Sequence, residues 1–321
     1  MSEKLLEVNG LKTYFYSKHN VAKAVDGVDF SLEKGEILGI IGESGRGKSV
    51  TVKSILQIVK TPGKIAGGEI IYRGTDLLAN RKAISEVRGN EISMIFQEPM
   101  TALNPALRIG YQMIEGLRLH LDKSKKEAYE IAVAYLKQVK INAPDTVMHK
   151  YPHQLSGGMR QRVLIAMAIS TRPNILLADE PTTALDVTIQ QQIISLLKEL
   201  KDTLDMSIIF ITHDMGVINE ITDNTVVMYC GKVMETAPTY SLLKEPIHPY
   251  SKALIGAIPR LYEDREELET IPGSVPSLSS LPAGCKFSNR CKYCMDICRE
   301  KEPELLQVDD NRKVRCWKYE S

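Results

Sequence analysis

Residues 155–162 read Leu-Ser-Gly-Gly-Met-Arg-Gln-Arg, and seventeen positions later an apolar run closes in Asp179-Glu180. A glycine-containing turn that opens a helix offers unpaired backbone N–H groups and the positive end of the helix dipole, which together suit a phosphate. Single turns of this kind are common. Here the chain holds a second phosphate-binding loop far upstream, Gly42-Glu43-Ser44-Gly45-Arg46-Gly47-Lys48-Ser49. Two phosphate loops and one acidic pair point to a nucleotide held between two chains.

The upstream stretch matches the P-loop pattern at every fixed position. Its flanks supply the required context. Ile37 to Ile41 is apolar throughout, as in a strand covered on both faces. Ser49 to Val59 lacks Gly and Pro and reads as a helix stopped by Thr61-Pro62-Gly63. Glycines allow the backbone to wrap a phosphate, Lys48 neutralises the β and γ oxygens, and the Ser49 hydroxyl ligates Mg²⁺. The expected ATP-binding set therefore runs Gly42, Glu43, Ser44, Gly45, Arg46, Gly47, Lys48, Ser49 and Val50. Arg46 fills a variable position and engages through its backbone.

Ile175-Leu176-Leu177-Ala178-Asp179-Glu180 reads as a buried strand that delivers two carboxylates to the C-terminal edge of a sheet, where ligands bind in open α/β folds. Asp179 is expected to hold Mg²⁺ through water, and Glu180 to orient or deprotonate the attacking water. In isolation such a pair would be a solvated turn. Gln97 after Ile92 to Phe96 would likewise be a loop amide, and His213 after Ser207 to Thr212 a structural histidine. The phosphate loops turn the acidic pair toward the nucleotide.

Residues 4–8 and 26–32 alternate as half-buried strands do. Residues 101–150 read instead as a helical insertion, with helices near Gly110 to His120 and Lys125 to Lys140. Strands return at Ile175 to Ala178, Ile208 to Thr212 and Val226 to Tyr229, with a helix from Thr188 to Leu200. Prolines at 246, 249, 259, 272, 276 and 282 then punctuate the chain, which places a boundary near 245–260.

The 321 residues exceed one typical domain, which predicts a large nucleotide-binding domain and a smaller companion. With 41 basic and 40 acidic side chains the formal charge is +1, which lacks the basic stripe of nucleic-acid binding. No apolar run approaches the roughly 20 residues of a membrane span, and the N-terminus has no signal-like apolar region, so the expected compartment is the cytoplasm. Five of six cysteines fall in the last 37 residues. In a reducing compartment that cluster reads as a metal site, zinc or iron–sulfur, rather than as disulfides.

From residue 4 to about 255 the chain resembles the ATPase subunits of ABC transporters. The resemblance implies an α/β fold of the P-loop NTPase class: a RecA-like mixed-sheet core, an antiparallel β subdomain, and a helical subdomain over about 100–165. The nucleotide-binding domain would cover 1–255 and a small cysteine-rich extension 256–321. It implies that Leu155, Ser156, Gly157, Gly158, Met159 and Gln161 form the signature contacting ATP on the opposite subunit. Gln97 senses Mg²⁺ and couples to membrane subunits, His213 is the switch histidine, and Ala184-Leu185-Asp186 communicates between subunits. Phe15, or its neighbours Tyr14 and Tyr16, would stack on adenine. The implied catalytic group is then Glu180, His213 and Gln97, with Mg²⁺ at Ser49, Gln97 and Asp179.

His248 to Leu254, Ile271-Pro272-Gly273-Ser274-Val275-Pro276 and Pro282-Ala283-Gly284-Cys285 resemble the tail of oligopeptide and dipeptide importer ATPases. That resemblance implies a [4Fe–4S] cluster on Cys285, Cys291, Cys298 and Cys316, as a staple for a tail too small for its own core. Cys294 departs from the pattern and, by forming a Cys-x-x-Cys pair with Cys291, keeps zinc and metal-free thiols open. Expected partners are a second ATPase subunit, identical or similar, two transmembrane permeases and, indirectly, an extracytoplasmic peptide-binding protein. The chain would sit peripherally on the cytoplasmic face of the cell membrane. Nickel or oligosaccharide import, a soluble ABC machine acting on DNA or ribosomes, and a metal-sensing regulatory subunit are the competing readings.

Overall fold

The computed structural model describes residues 3–43, 47–183, 185–257 and 271–320. Ser44, Gly45, Arg46, Ala184 and Pro259 lie outside the described residues, as does the start of the expected extension from 258 to 270. In chain order the strands are β1 (Lys4–Tyr16), β2 (Val21–Glu33), β3 (Ile37–Ile41), β4 (Gly63–Tyr72), β5 (Thr75–Asp76), β6 (Ile92–Ile95), β7 (Ile175–Asp179), β8 (Ser207–Ile211), β9 (Asn224–Tyr229), β10 (Lys232–Pro238), β11 (Leu306–Asp309) and β12 (Arg312–Val314). The helices are α1 (Gly47–Ile55), α2 (Arg81–Val87), α3 (Pro99–Ala102), α4 (Ile109–Leu121), α5 (Lys125–Gln138), α6 (Pro144–Met148), α7 (Gly157–Ile169), α8 (Val187–Leu204), α9 (Met215–Ile221), α10 (Thr239–Lys244), α11 (Pro249–Gly256) and α12 (Asp296–Glu300).

The chain divides into two compact units, Met1–Arg81 with Ile211–Ser321, and Lys82–Phe210. In the first, β2, β1, β4 and β5 form an antiparallel sheet in that order. Its strands are far longer than the alternating segments at 4–8 and 26–32 suggest. β4 has no clear strand signal because it carries three glycines. Gly68 lies so close to the Leu11 backbone that a Cβ would come within 2.6 Å of it, and the β1–β4 register shifts between Asn9 and Lys12 beside this point. The same unit holds β11, β12, β10, β9 and β3 as neighbours. β3 runs parallel to β9 with Ile41 opposite Val227, and β12 runs antiparallel to β10 with Val314 opposite Glu235. The cysteine-bearing tail thus extends an existing sheet. Phe287 from that tail is buried with Tyr229, Tyr250, Met234 and Ile218 in one apolar cluster.

The second unit carries β8, β7 and β6 as neighbours, β6 parallel to β7, together with the helices of the insertion. Each of β7 and β8 is buried along its whole length, as its unbroken apolar run requires. A capping box at Ser124 and Glu127 starts α5, and Asp122 in the left-handed region ends α4. The helical insertion therefore appears where the sequence places it.

Candidate functional site

In the first unit the phosphate loop leaves β3 and enters α1. Gly42 has φ +155°, and a Cβ there would lie 2.0 Å from the Met228 carbonyl, so no side chain fits. A Cβ on Gly47 would meet the Ala24 carbonyl at 2.9 Å. These two glycines press the loop against β2 and β9. The buried Lys48 ammonium donates to the Gly42 and Glu43 carbonyls at 2.7 and 3.0 Å. It closes the loop on itself at the positive end of α1. The helix begins at Gly47 and ends at Ile55, earlier at both ends than its composition suggests, because the loop's last residues already wind helically and Gln57 takes φ +53°. Beside the loop lies a cavity of about 410 Å³ lined by Gly47, Lys48, Glu43, Ala22, Tyr229 to Gly231 and Val275 to Ser279.

The aromatic run on β1 faces β2, where Tyr14, Phe15 and Tyr16 pair with Lys23, Ala22 and Val21. Tyr14 donates its hydroxyl to Asp26 at 2.5 Å, and Asp26 in turn pairs with Lys232 at 3.1 Å. Burial, with the Asp26 hydrogen bond and charge, pushes the Tyr14 hydroxyl well above its ordinary value. Phe15 lies against Gly63, and Tyr16 is 42% exposed. His213 is exposed just past β8, where Asp214 caps α9 by accepting from the Gly216 and Val217 amides.

The second unit brings its carboxylates to one strand edge. Ile95 pairs with Ala178 in the parallel β6–β7 ladder, so the residues following both strands emerge together. Gln97 accordingly donates its side-chain amide to Glu180 Oε2 at 3.0 Å. The Thr183 hydroxyl donates to the same oxygen at 2.9 Å. Glu180 itself has φ +47°, a left-handed conformation that costs roughly 1–2 kcal/mol in a non-glycine residue. Asp179 next to it is fully buried. A carboxylate held by two donors at a strained turn is positioned rather than free to rotate.

Ser156 caps α7, accepting from the Met159 amide at 3.3 Å. Leu155 is buried and its carbonyl is bound by Arg160 at 2.6 Å. Gly157 and Gly158 lie beneath Leu185 and Ile189, the latter so close that a Cβ on Gly158 would stand 3.1 Å from it. Asp186 caps α8 through the Ile189 amide at 2.9 Å. The segment after the acidic pair thus braces the start of α7. Gln161 is buried on that helix.

Cys285, Cys291, Cys298 and Cys316 line one small cavity of about 10 Å³ with His248, Phe287 and Trp317, while Cys294 lies outside that lining. Burial, reinforced by the neighbouring Cys298, Cys316 and Cys291 thiols, pushes Cys285 up to about 12. Among the described residues no group of three or more His, Cys, Asp or Glu side chains stands closed around a metal position.

The family described as ABC transporter matches residues 25–183, and that of the oligopeptide/dipeptide transporter C-terminal region matches 234–298. The oligopeptide transport ATP-binding protein AppD of Bacillus subtilis is 50% identical over 98% of this chain and 97% of its own. This chain belongs to the ABC transporter ATPases. Similar relatives include OppD of Salmonella typhimurium, at 47% identity over 98% of this chain and 93% of that one. Among solved structures, the dimeric ATP-binding cassette MJ0796 with ADP and Pi covers 73% of this chain and 98% of that chain, with a TM-score of 0.65 at 26% identity. The structure of cbiO1 from Clostridium perfringens, part of the ABC transporter complex cbiONQ, covers 76% of this chain and 92% of that chain with a TM-score of 0.63 at 27% identity. Like other ABC ATPases, the chain is an ATP-hydrolysing subunit of mixed α/β fold that works with an ATPase partner and permeases. No described helix is long and apolar enough to cross a membrane.

Several residues around this ABC ATPase site carry no signal in the sequence. Arg290 donates to both Glu43 carboxylate oxygens, at 2.5 and 2.9 Å, across 247 positions. Tyr250 accepts the Glu43 amide at 2.7 Å, and Thr183 holds Glu180. Thr183 follows the acidic pair, Tyr250 lies in the tail segment His248 to Leu254 and Arg290 adjoins Cys291, but nothing in their spacing links them to the site. Arg290 and Tyr250 become visible only once the tail folds back.

Proposed function

We propose that this ABC ATPase powers the import of di- or oligopeptides, with two nucleotide-binding domains clamping two ATP molecules and reopening on hydrolysis. Identity of 50% across the whole chain to an oligopeptide transport protein, tail included, carries the cargo assignment. Residues 1–255 form the nucleotide-binding domain and 256–321 the extension, attached at the cytoplasmic face of the membrane. Lys48 and the loop amides hold the triphosphate, and Ser49, Gln97 and Asp179 hold Mg²⁺. Glu180 activates water, and His213 contacts the γ-phosphate region. Leu155 to Gln161 reach the partner's ATP, and Asp186 relays between subunits. Phe15 or Tyr16 stacks on adenine, a choice supported by the engagement of Tyr14 with Asp26.

In the extension, Cys285, Cys291, Cys298 and Cys316 would hold a [4Fe–4S] cluster. The reading is supported by four soft donors that line one small cavity from which Cys294 is absent. Cys285, Cys291, Cys298 on α12 and Cys316 after β12 would hold it, and the bound group would tie these segments of the tail to one another. Iron and acid-labile sulfide in anaerobically purified protein test it, and zinc without sulfide would remove it.

The cargo is tested by uptake of labelled tripeptide in cells lacking the gene. Wild-type chain restores uptake and Lys48→Ala does not. Restored nickel or oligosaccharide uptake, with peptide uptake unaffected, would replace this reading.

A further inference from the structure

Glu43 sits inside the phosphate loop, where a carboxylate opposes a bound triphosphate by like-charge repulsion. Its surroundings counter that charge from outside the ATPase motifs. Arg290, only 5% exposed in its side chain, places two guanidinium nitrogens on the two carboxylate oxygens. The guanidinium is oriented by the Pro272 carbonyl at 2.9 Å and the Tyr229 hydroxyl at 3.2 Å. Tyr250 accepts the Glu43 amide, and Lys48 donates to the Glu43 carbonyl. Side chain, amide and carbonyl of one loop residue are therefore all fixed, two of them by residues beyond position 245. Val275 to Ser279 of the extension also line the cavity that Gly47 and Lys48 open onto.

We propose that the C-terminal extension is a working part of the nucleotide site, with Arg290 a positioning residue that neutralises Glu43 and holds the phosphate loop ready for ATP. The inference rests on the P-loop as the site of ATP. A bidentate guanidinium–carboxylate pair has fixed geometry, so it orders the loop before the ligand arrives and removes an opposing charge. Without Arg290 the Glu43 carboxylate stands alone next to the incoming phosphates. Loss of that carboxylate as well removes the repulsion again.

Equilibrium binding of MANT-ADP with Mg²⁺ to the full-length chain tests this. Arg290→Gln weakens binding about tenfold, and adding Glu43→Gln in the same chain restores it to within about threefold of wild type. A merely structural loss at Arg290 is not repaired by a second substitution on its partner. Unchanged affinity in Arg290→Gln, or a loss that persists with Glu43→Gln, would overturn the proposal. Failure of the wild-type chain itself to bind MANT-ADP would instead overturn the P-loop assignment on which it rests.

Discussion

At the residue scale the site is a set of side chains that are each held by something else. Glu180 receives the Gln97 amide and the Thr183 hydroxyl on one oxygen, so two donors fix the plane of its carboxylate. Thr183→Ala removes one of these donors from a strained turn. Steady-state phosphate release should fall about three- to tenfold in kcat with KM for ATP nearly unchanged, since the lost bond orients a base without binding ATP. An equal change in KM would point to a role in nucleotide binding. The placement of Asp179, Glu180 and Gln97 at neighbouring strand ends was legible because each follows an apolar strand run. Glu43 was legible as a loop member, but its partner was not, because a separation of 247 positions leaves no periodicity that links it to Arg290.

At the element scale the extension behaves as part of a shared core. Phe287 is 2% exposed and packs edge-on to Tyr229 and tilted to Tyr250, with ring centroids 5.4 and 5.2 Å away. Phe287→Ala should cost about 3–5 kcal/mol in urea unfolding. It should lower the transition of the whole first unit; a separate early transition confined to the tail would mean that the extension folds independently. Charge reinforces this junction. Glu302 meets Lys232 at 2.6 Å and Lys286 at 3.0 Å. Burial acts to raise its carboxyl, but the hydrogen bonds and charges of the two lysines outweigh it and hold it below its ordinary value of 4.5. Glu302 therefore stabilises the fold at neutral pH, and that contribution is lost as pH falls below about 4.5. Urea midpoints followed from pH 7 to 3 should show an acid decline that is shallower in Glu302→Gln; identical slopes would exclude Glu302 as its source. Long apolar strands such as β7 and β8 were readable from composition. β4 was not, because its glycines serve close contact with β1 rather than burial, and β12 was not, because three residues of mixed polarity become a strand only beside β10.

At the scale of the whole molecule the chain is an ABC ATPase, and we read its machinery as a phosphate loop, an acidic strand end and a capped signature helix. The extension adds a wall and a charge partner to that machine. We propose that hydrolysis depends on a single carboxylate, Glu180, just past the end of β7. The most direct test is Glu180→Gln in the full transporter complex, with MgATP binding and phosphate release measured on the same preparation. The account predicts MgATP binding as tight as wild type with phosphate release reduced at least about 100-fold. Phosphate release near the wild-type rate would contradict it.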